Sequence, residues 1–355
     1  MDKEIQQLAE TIQTNCHIAD ARHAGDYTLC VYLLKMREMC RWEAGQSFNI
    51  TLSIDDVGDW LTEREGLWDD IEEQDYQPLL LNDQSYDAFD NESLSGLLHD
   101  KGYVYNAGLG IRCRPHFFLA ELLETQHDGD ITIIIAGKEY ARDMAAPPAM
   151  AQGNTIFIRR ESIRRMLWEK VEEWRMSGLD SPIGRAAQFY NFEGEVEKAL
   201  DAMADSEIAT IIAHEKGELA AGELLGEAWL SMLGALPRGH AEFMLRAVRD
   251  NLADAMVTLP WLMANFSPAR CHFYFGNMTD LRKKMTGDLY AAYQHWHETG
   301  HLNELQQQIA LQYDYWLALA QRCLQVFSAA DQKQDAQTGS EIETLIIEKT
   351  TYEPS

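Results

Sequence analysis

The chain is short of positive charge, of long apolar runs and of paired cysteines, and each shortage removes a class of function. Lys and Arg number 30 against 57 Asp and Glu, for a formal net charge of −27 at pH 7. A field of that sign repels a phosphate backbone, so nucleic acid is not an expected partner. No apolar run approaches the roughly 18 residues that cross a bilayer, so no membrane association is expected. The longest run, Ile131 to Gly137, is strand-sized. The opening MDKEIQQLAETIQ is charged and amphipathic and lacks the apolar core of a signal peptide. Six cysteines stand at 16, 30, 40, 113, 271 and 323 without a C-x-x-C pair. Free thiols in a reducing compartment are the simplest reading, and the expected location is cytoplasmic. There is no P-loop, Gly-rich dinucleotide fingerprint, G-x-S-x-G elbow or Cys-rich zinc knuckle. Common kinases, Rossmann dehydrogenases and α/β-hydrolases are therefore disfavoured.

What is present is a folding chain. Hydrophobic residues make up 46% and aromatics 10% of 355 residues, enough for one large core or two domains. The periodicity predicts a mainly α (α+β) fold: N-terminal helices, a small β-element and a C-terminal helical bundle. Residues 3–23 place Ile5, Leu8, Ile12 and Cys16 at helical spacing; residues 27–43 do the same with Leu29, Leu33, Leu34 and Cys40. Ser53 and Asp56 resemble a capping box for a helix that turns Val57, Trp60, Leu61, Trp68 and Ile71 inward. Residues 55–100 carry 15 acids and one Arg, an acidic face suited to a basic protein partner. The β-branched runs Ile131 to Ile135 and Thr155 to Ile158 read as two paired strands around a Pro147-Pro148 loop. The implied division is 1–100 acidic and helical, 101–194 mixed, 195–328 a helical bundle and 329–355 a flexible tail. Within that tail, Glu343 to Glu348 is able to add as a strand to a sheet edge.

Two constellations suggest chemistry. In the helical run Ile208 to Leu233, the stripe Ile211, Glu215, Glu218, Gly222, Leu225, Trp229, Met232 sets two carboxylates among apolar residues, with His214 one turn from Glu218. Residues 242–262 repeat the pattern with Asp250 and Asp254, and His272 follows in an aromatic segment. Acids on a core-facing stripe must be paired or bind metal. His214, Glu215, Glu218, Asp250, Asp254 and His272 thus form a ligand pool for Fe, Mn or Zn, with redox or hydrolytic chemistry unresolved. The usual Glu-x-x-His spacing is absent. The competing reading is a buried ion-pair network, with Arg246, Arg249 and Lys216 neutralising the acids of a non-catalytic interaction protein. The second constellation, His297-Glu298-Thr299-Gly300-His301, matches H-E-x-x-H and raises a zinc-dependent peptidase. Gly300 argues against it, because a glycine cap there would separate the two histidines.

Other features read as structural. Asp83 to Leu94 lacks the Gly and Glu of a calcium loop. His17, Asp20 and His23 are expected at the surface or as caps. Arg159, Arg160, Arg164 and Arg165 are expected to pair with the chain's own acids. The phrases Asn15-Cys-His-Ile-Ala-Asp20, Leu34-Lys-Met-Arg-Glu38, Pro115-His-Phe-Phe-Leu119, His214-Glu-Lys-Gly-Glu218 and Arg249-Asp-Asn-Leu-Ala-Asp254 resemble an uncharacterised proteobacterial family. The resemblance runs through most of the chain and implies a bacterial cytoplasmic protein. It brings no established activity with it.

Overall fold

A computed structural model describes residues 2–110, 113–178, 180–329 and 335–350. The chain forms two compact units: residues 1–169 with 191–205, and residues 170–190 with 206–355.

The first unit opens with α1 (Lys3–His23), α2 (Leu29–Glu43) and α3 (Ile54–Ile71). Asp2 caps α1, its carboxylate accepting the Ile5 amide at 2.9 Å. The predicted apolar face of α1 is buried at all four positions. Ser53 caps α3 by accepting the Asp56 amide at 3.4 Å. Between these helices the periodicity misleads. α2 buries Met36, Met39 and Cys40, while Leu29, Leu33 and Leu34 stay exposed. His17 and Asp20 also depart from the expectation of surface or cap roles, since both are buried. Burial and the Arg64 guanidinium hold the His17 imidazole down to about 3. Asp20 accepts the Met144 amide at 2.8 Å.

A short hairpin, β1 (Leu79–Leu81) and β2 (Gln84–Tyr86), leads to α4 (Asn91–His99). Five strands follow: β3 (Tyr103–Leu109), β4 (Pro115–Asp128), β5 (Ile131–Arg142), β6 (Ala149–Gln152) and β7 (Thr155–Arg159). Their order is β3-β4-β5-β7-β6. The two runs expected to pair do so as β5 and β7, in parallel, with Ile133 opposite Ile156. The other three strands lacked alternation. In β4, Phe117 and Leu119 enter one core while Phe118 and Ala120 enter another, so the strand reads as a continuous apolar run. Register shifts interrupt the β4–β5 ladder between Leu119 and Glu124. Gly137 lies beside this irregular stretch; a Cβ there would come within 2.8 Å of Glu121 Oε2 and 2.9 Å of Leu123.

The remainder is helical: α5 (Arg160–Ser177), α6 (Pro182–Ala187), α7 (Val196–Ala235), α8 (His240–Ala253), α9 (Leu259–Ala264), α10 (Pro268–Asn277), α11 (Asp280–Met285), α12 (Gly287–Thr299), α13 (Asn303–Ala329) and α14 (Asp335–Lys349). A π-helical segment, Asp254–Thr258, joins α8 to α9. α8, α13 and α14 share a core that includes Trp229, Leu245, Trp316, Ile342 and Ile346. The stretch from Glu343 to Glu348 is therefore helix rather than added strand, and Ile342 and Ile346, both fully buried, anchor it. Other parts of the expected tail, 330–334 and 351–355, lie outside the described residues. The α+β class with C-terminal helices stands as read.

Candidate functional site

In the second unit α7 and α8 meet at Gly217, where a Cβ would lie 2.4 Å from the Ala253 carbonyl oxygen. Only glycine permits that approach. The crossing sets His214 beside Asp254, the first residue of the π segment; such segments recur at functional sites. Asp254 is 1% exposed and fully engaged. Its Oδ1 meets His214 Nδ1 at 2.8 Å and accepts from Thr258 Oγ1 at 2.7 Å. Its Oδ2 accepts from Tyr274 Oη at 3.0 Å and from Arg282. Burial alone would raise this carboxyl, but Arg282 and His214 outweigh it and hold it well below the ordinary range. Burial works against a charged His214, yet the bond to Asp254 prevails and lifts the imidazole above its usual value. With Asp254 ionised, Nδ1 is the protonated nitrogen.

The rest of the ligand pool divides. Glu218 pairs with Arg249, and Arg249 Nε stands 4.0 Å from Asp250. Burial raises the carboxyls of Glu215 and Asp250. His272 is placed elsewhere: its Nδ1 lies 2.9 Å from Tyr293 Oη, and its ring packs 5.0 Å from Trp296 and 5.3 Å from His297. Burial and the neighbouring His297 lower it to about 4. Among the described residues, no group of three or more His, Cys, Asp or Glu side chains is placed to hold a metal ion. The donor set explains why. Arg282 and Arg249 occupy oxygens of Asp254 and Glu218, and guanidinium groups beside those carboxylates oppose a second positive charge there.

His297 and His301 do not share a helical face. Gly300 caps α12 at φ 76°, and His301 lies beyond it, exposed. This geometry lacks the paired imidazoles that a zinc peptidase requires.

The first unit holds a feature that motif reasoning passed over: a cleft of about 950 Å³. Its walls come from the C-terminal half of α2 and the following loop, the irregular part of β4–β5, and the start of α5. Strand bulges cluster beside binding sites because they re-aim side chains. Glu139 is its buried centre, with Oε1 accepting from Arg159 Nε and Ser162 Oγ, each at 2.8 Å. Burial raises Glu139, but Arg159 and Arg142 overcome it and hold the carboxyl below its ordinary value. Glu161 accepts the Glu139 amide at 2.5 Å and is pushed up by burial and by the Glu139 charge. The expected self-pairing of the arginine group holds: Arg160 binds Asp201 and Asp205, Arg164 binds Glu197, and Arg165 binds Glu169. Glu139, Arg142 and Glu161 were not singled out, whereas Glu38 was expected to pair along its own helix and does so with Arg41. The signal was there in Lys138-Glu139-Tyr140-Ala141-Arg142, charges inside a strand that follows a wholly apolar run.

Fold and sites together define an α+β protein of two compact units, each holding a buried cluster of arginine and carboxylate. The chain belongs to the family of unknown function DUF6866: the model of its N-terminal domain matches residues 7–159 and that of its C-terminal domain residues 164–347. No curated protein and no solved structure matches the chain.

Proposed function

We propose that the protein works by docking a partner, a basic amphipathic helix of another protein, on the α2–α3 hairpin. The observation that carries this is the exposure of Leu29, Val31, Leu33 and Leu34, at 69%, 42%, 44% and 55%, along the first half of α2. Leu29 and Leu33 lie one turn apart, and exposed apolar side chains gathered on a folded chain mark an interaction surface. Charge complementarity names the occupant. α3 packs against α2, with Tyr32 Oη donating to Glu65 at 2.8 Å, and its acids Asp55, Asp59, Glu63, Glu65 and Asp69 are all exposed. Exposed apolar side chains beside acids suit a helix with leucine on one face and lysine or arginine on its flanks. A second copy is disfavoured, because each chain brings a charge of −27. The ion-pair network of the second unit then has a structural role, supported by the closing of Asp254 and Glu218 onto arginine. A bacterial cytoplasm is the setting we propose, and six free cysteines support a reducing compartment.

The test uses a fluorescent Leu/Lys amphipathic peptide of about 18 residues, roughly five helical turns, beside a scrambled peptide of identical charge. The amphipathic peptide should bind and the scrambled one should not. A Leu29→Ser/Leu33→Ser/Leu34→Ser variant should weaken binding about tenfold or more. Equal binding of the two peptides, or no effect of the variant, overturns the proposal. So does self-association that the variant abolishes. Stoichiometric Fe, Mn or Zn, lost in Glu218→Ala and Asp254→Ala, would instead return the bundle to metal chemistry.

A further inference from the structure

We propose that the cleft of the first unit takes an uncharged, extended peptide segment of another protein, which adds as a strand to a free edge of β5. β5 runs from Ile131 to Arg142, but β7 accompanies it only from Thr132 to Ala136 and then gives way to α5. Among the described residues, no strand pairs with residues 137–142 on that side. All six except Ala141 line the cleft. Backbone N–H and C=O groups need partners, and an open strand edge is a template for one more strand. Two side chains take that strand's place here. The Gln13 amide meets Arg142 as a neighbouring peptide group would: its Oε1 accepts the Arg142 amide at 3.0 Å, and its Nε2 donates to the Arg142 carbonyl at 3.2 Å. Glu161, in the first turn of α5, accepts the Glu139 amide at 2.5 Å.

The backbone groups of Glu139 and Arg142 therefore point to the open side, and what already sits against Arg142 is an amide. Gln13 and Glu161 both stand on the cleft wall. A peptide that brings a carbonyl to Glu139 and an amide group to Arg142 replaces the two side chains with one continuous ladder. Charge and lining name the class of peptide. Six carboxylates and six cationic side chains line the cleft, so the lining selects neither an anion nor a cation. The buried ones are already matched: Glu38 with Arg41 at 3.2 Å, Glu139 with Arg159 at 2.8 Å, and Arg165 with Glu169 at 2.8 Å. A neutral backbone, which donates and accepts in equal number, suits such a wall. Trp42, Phe48 and Tyr140 also line the cleft, and all three are half-buried. Aromatic walls of this kind take an apolar or aromatic side chain. The surface differs from the exposed first half of α2 and calls for a different element, a strand in place of a helix.

The experiment titrates the full chain with end-blocked hexapeptides of threonine and valine that carry tryptophan, serine, lysine or glutamate at one central position. Six extended residues span about 20 Å, the length of a six-residue strand edge. The tryptophan peptide should bind saturably at one site, and the other three about tenfold more weakly. Hydrogen exchange at residues 137–142 should slow in its presence. Successive amides of a strand point to opposite edges. N-methylation of alternate amides should therefore cost about tenfold or more in one of the two possible patterns. Trp42→Leu should weaken the tryptophan peptide severalfold. Gln13→Ala removes the competing amide and should tighten it severalfold. Failure of the tryptophan peptide to bind overturns the proposal, as does full affinity in both N-methylated patterns. Slowed exchange confined to other segments overturns it equally. A lysine or glutamate peptide that binds more tightly than the tryptophan peptide overturns the uncharged class.

Discussion

In the second unit one buried carboxylate, Asp254, is served by four donors on both oxygens, whereas in the first unit the buried Glu139 accepts from Arg159 and Ser162 on one oxygen and keeps only Arg142, at 3.6 Å, beside the other. The chemistry is the same and the coverage of the carboxylate differs. Where acceptor and donors match, desolvation is offset within the protein and the cluster acts as a fastening. Around Glu139 the donors fall on one oxygen, and the cluster sits on an open cleft. Counting partners around each buried charge therefore separates a structural cluster from a candidate site, although the two look alike in sequence.

The largest expected effect sharpens that contrast. Arg282→Met strands Asp254 and should lower unfolding stability by about 3–5 kcal/mol, while Arg142→Met takes only the looser partner of Glu139, at 3.6 Å, and should lower it by less. Equal losses in urea unfolding would break the comparison.

Acidity dependence should differ in sign between two buried groups, His17 of the first unit and Glu207 of the second. The unfolded His17 gains a proton below about 6.5 while the folded one does not until about 3, so its contribution is present at neutral pH and falls with pH, by about 3 kcal/mol at pH 4. Glu207 behaves oppositely. Burial raises it to about 7, so the unfolded state ionises first and stability falls between about pH 4.5 and 7, again by about 3 kcal/mol. Unfolding measured from pH 4 to 8 should lose the first slope in His17→Gln and the second in Glu207→Gln.

Gly217→Ala pushes a methyl group into the Ala253 carbonyl and should remove about 1–3 kcal/mol by overpacking. A tolerated alanine would show that α7 and α8 part easily at the His214–Asp254 pair. The smallest effect belongs to the exposed face of α2. Leu33→Ser should change stability by no more than about 0.5 kcal/mol. A larger loss would mean that this leucine packs on its own unit.

Part of this was legible beforehand. Ile5, Leu8, Ile12 and Cys16 announced α1 because a four-point apolar stripe has one way to be buried. The same reasoning misplaced Leu29, Leu33 and Leu34, because periodicity reports that a stripe exists and not that the chain itself covers it. The odd acids Glu218 and Asp254 were visible as acids on an apolar stripe. Arg249 was among the cations expected to neutralise them and does pair with Glu218, whereas Arg282, 28 residues from Asp254, was not foreseen. The π segment also follows no residue signal at Asp254.

The sequence by itself determined the class of fold, the capped helices, the paired β5 and β7 runs, the −27 charge and the helix cap at Gly300. These depend on neighbours within a few turns, where spacing and local hydrogen bonds decide the outcome. The tertiary structure decided the five-strand order, the closing of Asp254 onto Arg282, the docking of α14 through Ile342 and Ile346, and the gathering of Arg41, Arg142, Arg159 and Arg165 at one cleft. Those outcomes turn on which distant side chains share a buried, low-dielectric space, and no local pattern encodes that.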